Sequence, residues 1–266
     1  MEIPGATAVV TGASNGIGRA AARLLAQRGA RVIALARSAE RLEALVAEIA
    51  AAGGAAEPHP ADLADPAAVD AIFDDLAARG VTPDILVNSA GAGRWLTTEE
   101  TPPAEAVAMM NAPYFAAFFV TRRCLPGMLA RRRGRIVNVN SPVAWSGWPG
   151  AAGYTAARYA LRGFTNALRC DLHGTGVGVT SVTLGHTRSA YFDKNPGVLE
   201  RGPGISRIVP VVTPEQVAAA IADGLARDRR EVVLPAMLRV LVAVNTLAPR
   251  LVEWLLIRTG WRRPAG

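Results

Sequence analysis

Short β-branched runs alternate with turns and with Ala-, Leu- and Arg-rich stretches along most of the chain, and this alternation constrains the fold more than any other feature. Residues 6–11, 31–36, 84–88, 135–140, 177–184 and 231–234 read as strands, with a weaker one near 56–60. Between them, residues 16–28, 39–52, 66–78, 103–110, 112–130, 152–173 and 214–227 read as helices. The strands are nearly continuous apolar runs, so both of their faces are to be covered, which points to a parallel sheet between two helical layers. Right-handed crossovers then give an α/β fold with a single doubly wound parallel sheet. The 266 residues suit one domain, 1–235, followed by a C-terminal amphipathic helical tail, 236–266.

Half of the residues are apolar and 19% are charged, which excludes general disorder. The net charge is +7, and every basic side chain except Lys194 is arginine. The run Arg131-Arg132-Arg133 reads as a solvated helix end facing the negative pole of the dipole. No nucleic-acid motif accompanies the charge, so no nucleic-acid partner is expected. Cys124 and Cys170 lie in apolar helical stretches and read as small core residues. With two cysteines and no signal peptide, a cytoplasmic location is expected. His59, His173 and His186 are far apart, without metal-ligand spacing, and read as loop or helix-end residues; no metal is expected.

The segment Thr11-Gly12-Ala13-Ser14-Asn15-Gly16-Ile17-Gly18 joins the first strand to the first helix. Gly12 allows the tight turn, Gly16 lets the backbone approach a pyrophosphate, and Gly18 lets the helix pack closely. The helix N-terminus supplies free N–H groups and a positive dipole end for phosphates. The second strand ends Leu35-Ala36-Arg37, where a site for NAD has an acid to hold the ribose 2′-hydroxyl. A guanidinium there pairs with a 2′-phosphate instead, so NADP(H) is favoured, with NAD(H) also accommodated.

Several motifs in order make the chain resemble the short-chain dehydrogenase/reductase family over about residues 5–235. The family's TGxxxGxG corresponds to the loop above, and its Asp after the third strand to Asp62, with Leu63 expected beside the adenine. Its NNAG appears as Asn88-Ser89-Ala90-Gly91, its helix Asn as Asn111, and its catalytic Ser and Tyr as Ser141 and Tyr154. The resemblance implies a Rossmann-type fold and reduction of a carbonyl, or oxidation of the alcohol. Hydride comes from the nicotinamide and the proton from Tyr154. Ser141 is expected to stabilise charge on the carbonyl oxygen, and Asn111 to hold a water that links the site to solvent. Dimers or tetramers, built through the helices near 112–130 and 152–173, are also implied.

The family's YxxxK reads Tyr154-Thr155-Ala156-Ala157-Arg158, which is the main departure. Position 158 lies one helical turn from Tyr154 on the same face. In the family this lysine touches the ribose hydroxyls and eases proton transfer from the phenol, and the resemblance implies the same place for the cation here. Arginine keeps the charge, but its fork is wider than an ammonium and does not release its proton. Two readings follow: retained redox catalysis, or a nucleotide-binding protein with lost or altered redox activity. The second covers a sensor, a scaffold, or a non-redox acid–base enzyme such as a cyclase or dehydratase. The family's PGxVxT, which contacts the nicotinamide amide, is reduced to Leu184-Gly185-His186-Thr187-Arg188-Ser189, where the resemblance implies that Gly185 and Thr187 keep that contact, with Ser189 in place of the usual Thr.

Trp95, Trp145, Trp148, Tyr191 and Phe192 are expected to form an apolar pocket for a lipophilic or aromatic carbonyl, with 189–212 as a lid. In the tail, Leu241, Val244, Leu247, Ala248, Leu251 and Leu255 recur near helical spacing, and Pro249 is expected to break the helix in two. Arg239, Arg250, Arg258, Arg262, Arg263, Trp254 and Trp261 accompany the stripe. Two readings stay open: peripheral contact with anionic lipid at the inner face of a membrane, or packing over a neighbouring subunit or the pocket.

Overall fold

A computed structural model describes residues 1–188 and 201–263. Seven parallel strands form one sheet in the order β3-β2-β1-β4-β5-β6-β7. They are β1 Thr7–Thr11, β2 Arg31–Ala36, β3 Ala55–Pro60, β4 Ile85–Asn88, β5 Gly134–Asn140, β6 Val177–Leu184 and β7 Glu231–Leu234. The helices that matter here are α1 Gly16–Gln27, α2 Ala39–Ala51, α3 Pro66–Ala78, α4 Pro103–Met110, α5 Ala116–Ala130, α6 Ala152–Asp171, α7 Pro214–Ala226, α8 Met237–Leu247 and α9 Pro249–Thr259. The sequence-based boundaries differ from these by one or two residues, where helix and strand ends fray.

Alternate residues of each strand enter different cores. Val10, Val32, Ala34, Val87 and Val137 pack with Leu25 of α1 and Val217, Ile221 and Leu225 of α7. Val9, Ile33, Leu35, Leu86 and Ile136 pack with Phe73 and Leu76 of α3, Val120 and Met128 of α5 and Leu168 of α6. Fully burying each such side chain stabilises the fold by about 1.5–3 kcal/mol. This two-sided demand explains the uninterrupted apolar strands. Helix starts are locally encoded: the Asn15 and Ser38 side chains accept from backbone N–H groups of α1 and α2, and Thr213 with Gln216 forms a reciprocal cap on α7.

The strand order reverses between β1 and β4, which opens a crevice beyond their carboxyl ends. The stretches 103–110 and 112–130, expected as separate helices, are joined through a wider π turn, Asn111–Phe115. Pro113 has no N–H to continue the ordinary ladder, and the Ala116 amide donates to the Asn111 carbonyl five residues back.

Three local expectations are corrected. Cys124 is buried, but Cys170 is exposed, because α6 turns it away from the core. His59 lies within β3 rather than in a loop, beside Glu57. The arginine run is not simply solvated: Arg131 donates to the Pro83 carbonyl at 2.8 Å and Arg132 to that of Gly174 at 2.9 Å. Pro249 does break the tail, and α8 and α9 meet at a bend of 117°. No single helix among the described residues is long and apolar enough to cross a membrane.

Candidate active site

A cavity of about 1350 Å³ runs from the β1–α1 loop, past the ends of β4 and β5, to the C-terminal helices. Its first end is shaped by glycine. Gly12 has a φ of +67°, and a Cβ there would meet Ala90 backbone at 3.0 Å. Thr11 Oγ1 accepts from the Ser89 and Ala90 amides at 3.0 Å each, which ties the loop after β4 to the end of β1. Gly12, Ser14, Asn15, Gly16 and Ile17 line this end, where the amides that open α1 suit a pyrophosphate. Gly18 does not line the cavity; a Cβ at Gly18 would lie 2.3 Å from the Gly12 carbonyl, so its place is in the packing beneath the loop.

Arg37 lines the same end, together with Asp62 and Leu63. The Asp62 carboxylate accepts from the Ala64 amide at 3.0 Å. The expectation passed over Arg41, which also lines the cavity, in the first turn of α2 just after Arg37. Neither arginine is ion-paired among the described residues, although Glu40 lies between them in the first turn of α2. The place of Arg41 in the first turn of the helix that follows the second strand was the available signal.

In the middle of the cavity the structure brings together Ala90, Gly91, Asn111, Ser141, Tyr154, Arg158, Gly185 and Thr187. Asn88 is the exception. Its amide turns away to donate to Asn138 Oδ1 at 2.8 Å and Thr121 Oγ1 at 3.2 Å. Asn138 in turn donates to Thr165 Oγ1, so this buried ladder locks β4, β5 and α6 together beneath the site.

Tyr154 opens α6 and is buried, with Arg158 one turn on. The Arg158 guanidinium carbon is 5.1 Å from the centre of the Tyr154 ring. Arg158 is only 8% exposed, donates to the Val139 carbonyl at 3.2 Å, and has no carboxylate partner among the described residues. Its Nε has no hydrogen-bond partner among the described residues. A buried cation with spare donors suits ribose hydroxyls above it.

Two further residues position this pair. Asn140 accepts from the Ser141 amide at 2.9 Å and donates to the Arg158 carbonyl at 3.1 Å, which brackets the serine to α6. Gly93, at φ +155°, lies where a Cβ would be 2.4 Å from Tyr154 Cδ2. Gly93→Ala is therefore expected to displace the ring and lower turnover by about 10–100-fold. Circular dichroism and cofactor affinity should change little; unaltered kinetics would show that the ring has room to move.

The far end is apolar. Trp95 meets Trp148 edge-on at 5.4 Å and lies 6.2 Å from the Tyr154 ring. Trp145 stands under the Arg162 guanidinium at 3.6 Å. Leu238, Leu241, Val242, Leu255 and Leu256 of α8 and α9 complete the wall. Asn245 of α8 donates to the Trp145 carbonyl at 2.8 Å, so the inner face of the tail packs over the pocket. His186 also lines the cavity, and burial pushes its imidazole below the ordinary range, toward the neutral form. Ser189, Tyr191 and Phe192 lie outside the described residues.

The sequence pattern of short chain dehydrogenases matches residues 6–196, which include the phosphate loop, Ser141, Tyr154 and Arg158. The chain belongs to the short-chain dehydrogenase/reductase family. Membership makes it an NAD(P)-dependent oxidoreductase. Among similar family members, a 3-oxoacyl-(acyl-carrier-protein) reductase of Thermotoga maritima is 32% identical over 224 residues, 83% of this chain and 90% of that protein. The dehydrogenase/reductase SDR family member 7B of Bos taurus is 31% identical over 260 residues, 92% of this chain and 78% of that protein. A crystal structure of a metagenomic short-chain oxidoreductase in complex with NADP has 34% identity and a TM-score of 0.73, covering 88% of this chain and 97% of that one. A family member from Burkholderia phymatum in complex with NAD superposes with a TM-score of 0.83 over 100% of this chain and 99% of its own; at 23% identity it attests the fold.

Proposed function

We propose that the chain is an NADPH-preferring reductase of a lipophilic or aromatic carbonyl, or oxidises the corresponding alcohol. One observation carries this: Tyr154, Ser141 and Arg158 line a cavity with Arg37 and Arg41, not ion-paired among the described residues, at one end and an apolar, tryptophan-lined wall at the other. Nicotinamide, when bound, supplies or takes up the hydride. Gly12, Ser14, Asn15, Gly16 and Ile17 would hold its pyrophosphate, Arg37 its 2′-phosphate, Asp62 and Leu63 its adenine, and Ala90, Gly91, Gly185 and Thr187 its nicotinamide half. The Tyr154 hydroxyl gives its proton to the carbonyl oxygen, while Ser141 donates a hydrogen bond to that oxygen and steadies the growing charge. Arg158 holds a fixed positive charge beside the phenol and directs its free donors to the ribose. Arginine keeps its proton, so Tyr154 is recharged through a water held by Asn111. The enzyme acts in the cytoplasm as a homo-oligomer. The outward rings of Phe115 and Phe118, in contact with Tyr114, Phe119 and Phe164, favour assembly through α5 and α6.

A second reading, nucleotide binding with lost or altered redox activity, rests on Arg158 in the lysine position. The test is oxidation of NADPH and NADH by the purified protein with a panel of lipophilic ketones and aldehydes, alongside Arg158→Lys. Wild-type turnover with NADPH preferred, held or raised in the lysine variant, is expected. Turnover by the lysine variant alone would favour the second reading.

A further inference from the structure

Helices α8 and α9 are apolar on two opposite faces. The inner face, with Leu238, Leu241, Leu255 and Leu256, closes the substrate end of the cavity. The outer face carries Val240 and Leu247 on α8 and Leu251, Trp254 and Ile257 on α9, with Leu247 86% exposed and Trp254 53% exposed. Residues 240 and 247 lie two turns apart, and 251, 254 and 257 follow one another in three-residue steps, so each outer set shares one side of its helix. A helix that is apolar all round needs a cover on both sides. The described residues provide only one.

Charge identifies the other cover. Five arginines and a single carboxylate, Glu253, lie between residues 239 and 263. Arg239, Arg250 and Arg258 form no ion pair among the described residues, and Arg258 stands over Trp254 at 5.5 Å. A second copy docked on this face by two-fold symmetry would set this basic patch against the same basic patch. An anionic surface neutralises them, and a tryptophan beside an arginine on an exposed apolar helix suits the boundary between headgroups and acyl chains. The 117° bend lets the pair lie along such a surface rather than span it.

We propose that the α8–α9 hairpin docks on an anionic lipid bilayer through Val240, Leu247, Leu251, Trp254 and Ile257, framed by Arg239, Arg250 and Arg258. A groove of about 720 Å³ between α9 and the segment around Trp148 opens beside this face. Trp148 lines both that groove and the catalytic cavity, and it touches Trp95, which in turn lies beside Tyr154. The groove is thus a route for a bilayer-dissolved substrate toward the catalytic tyrosine. The route rests on the reductase reading above; the docking does not.

The test is co-sedimentation of the full chain, without cofactor or substrate, with vesicles of phosphatidylcholine alone and of phosphatidylcholine mixed with phosphatidylglycerol. Neither Leu247 nor Leu251 lines the cavity or the groove, so the variant Leu247→Ser with Leu251→Ser tests the face alone. The wild type is expected to partition onto the mixed vesicles, less so at high salt and less onto phosphatidylcholine alone. The double variant should lose about tenfold or more of that partition while keeping its melting temperature. Absence of wild-type binding, or equal binding by the variant, overturns the docking. So does concentration-dependent self-association that the same two substitutions abolish, which would make a second copy the cover. Docking confirmed in a protein that fails to oxidise NADPH would leave this inference standing and remove the reductase reading.

Discussion

Tyr154→Phe is expected to lower turnover by about 10²–10⁴-fold, the usual worth of a positioned general acid. The substitution deletes one oxygen and leaves the ring, which packs with Met109, Val143 and Trp95. Folding and the Arg158 contact to the ring face are therefore preserved, and the loss is confined to the proton. Cofactor affinity should stay within a few-fold, because phosphate-loop contacts do not involve the phenol. Steady-state NADPH oxidation, combined with fluorescence titration of the cofactor, checks both halves. Equal turnover by wild type and variant would sink the mechanism. A parallel collapse of cofactor binding would show instead that the hydroxyl is chiefly a ribose ligand.

The second large effect concerns the choice of cofactor. Arg37→Ala combined with Arg41→Ala removes two cations that have no ion pair among the described residues, at the end of the cavity next to the β1–α1 loop. A charge-assisted hydrogen bond contributes about 1.5–3 kcal/mol, so the KM for NADPH should rise by about 10–100-fold or more. The KM for NADH, which lacks the 2′-phosphate, should change by less than a few-fold, and kcat with either cofactor should hold. Comparing kcat/KM for the two cofactors gives the shift directly, and the effect in wild type should weaken as salt is raised. An unchanged ratio would mean that the 2′-phosphate is held elsewhere or that the wild type does not discriminate. Glu40, in the same turn of α2, is the group that would then deserve substitution.

Much of this protein is legible in short windows of its chain. A β-branched run of five or six residues already says that its strand is covered on both faces. The glycines at 12 and 16 mark a loop that turns tightly, with positive φ at both, before a helix begins. The four-residue step from Tyr154 to Arg158 places a cation one turn from a phenol. In each case the information lies within one turn of helix or one strand, and local sterics and burial are enough to read it.

Other features need the folded path. Nothing near Gly93 announces that it makes room for a ring 61 positions later, and Asn140 reads as the last residue of a strand until α6 packs beside it. Asn88 looks like a cofactor ligand from its motif, yet its amide is turned into a ladder with Asn138 and Thr121, residues that only the strand order brings near. The tail shows the division most clearly. Its heptad-like leucines and its arginines announce a helix with an apolar stripe, and Pro249 announces the break. That one face closes over Trp145 through Asn245 while the other is left uncovered by the described residues is set by how a 117° bend lays two short helices across the mouth of the cavity. Periodicity within a segment is carried by neighbouring residues. The side of a segment that becomes buried is settled by distant parts of the chain, through the space that packing leaves.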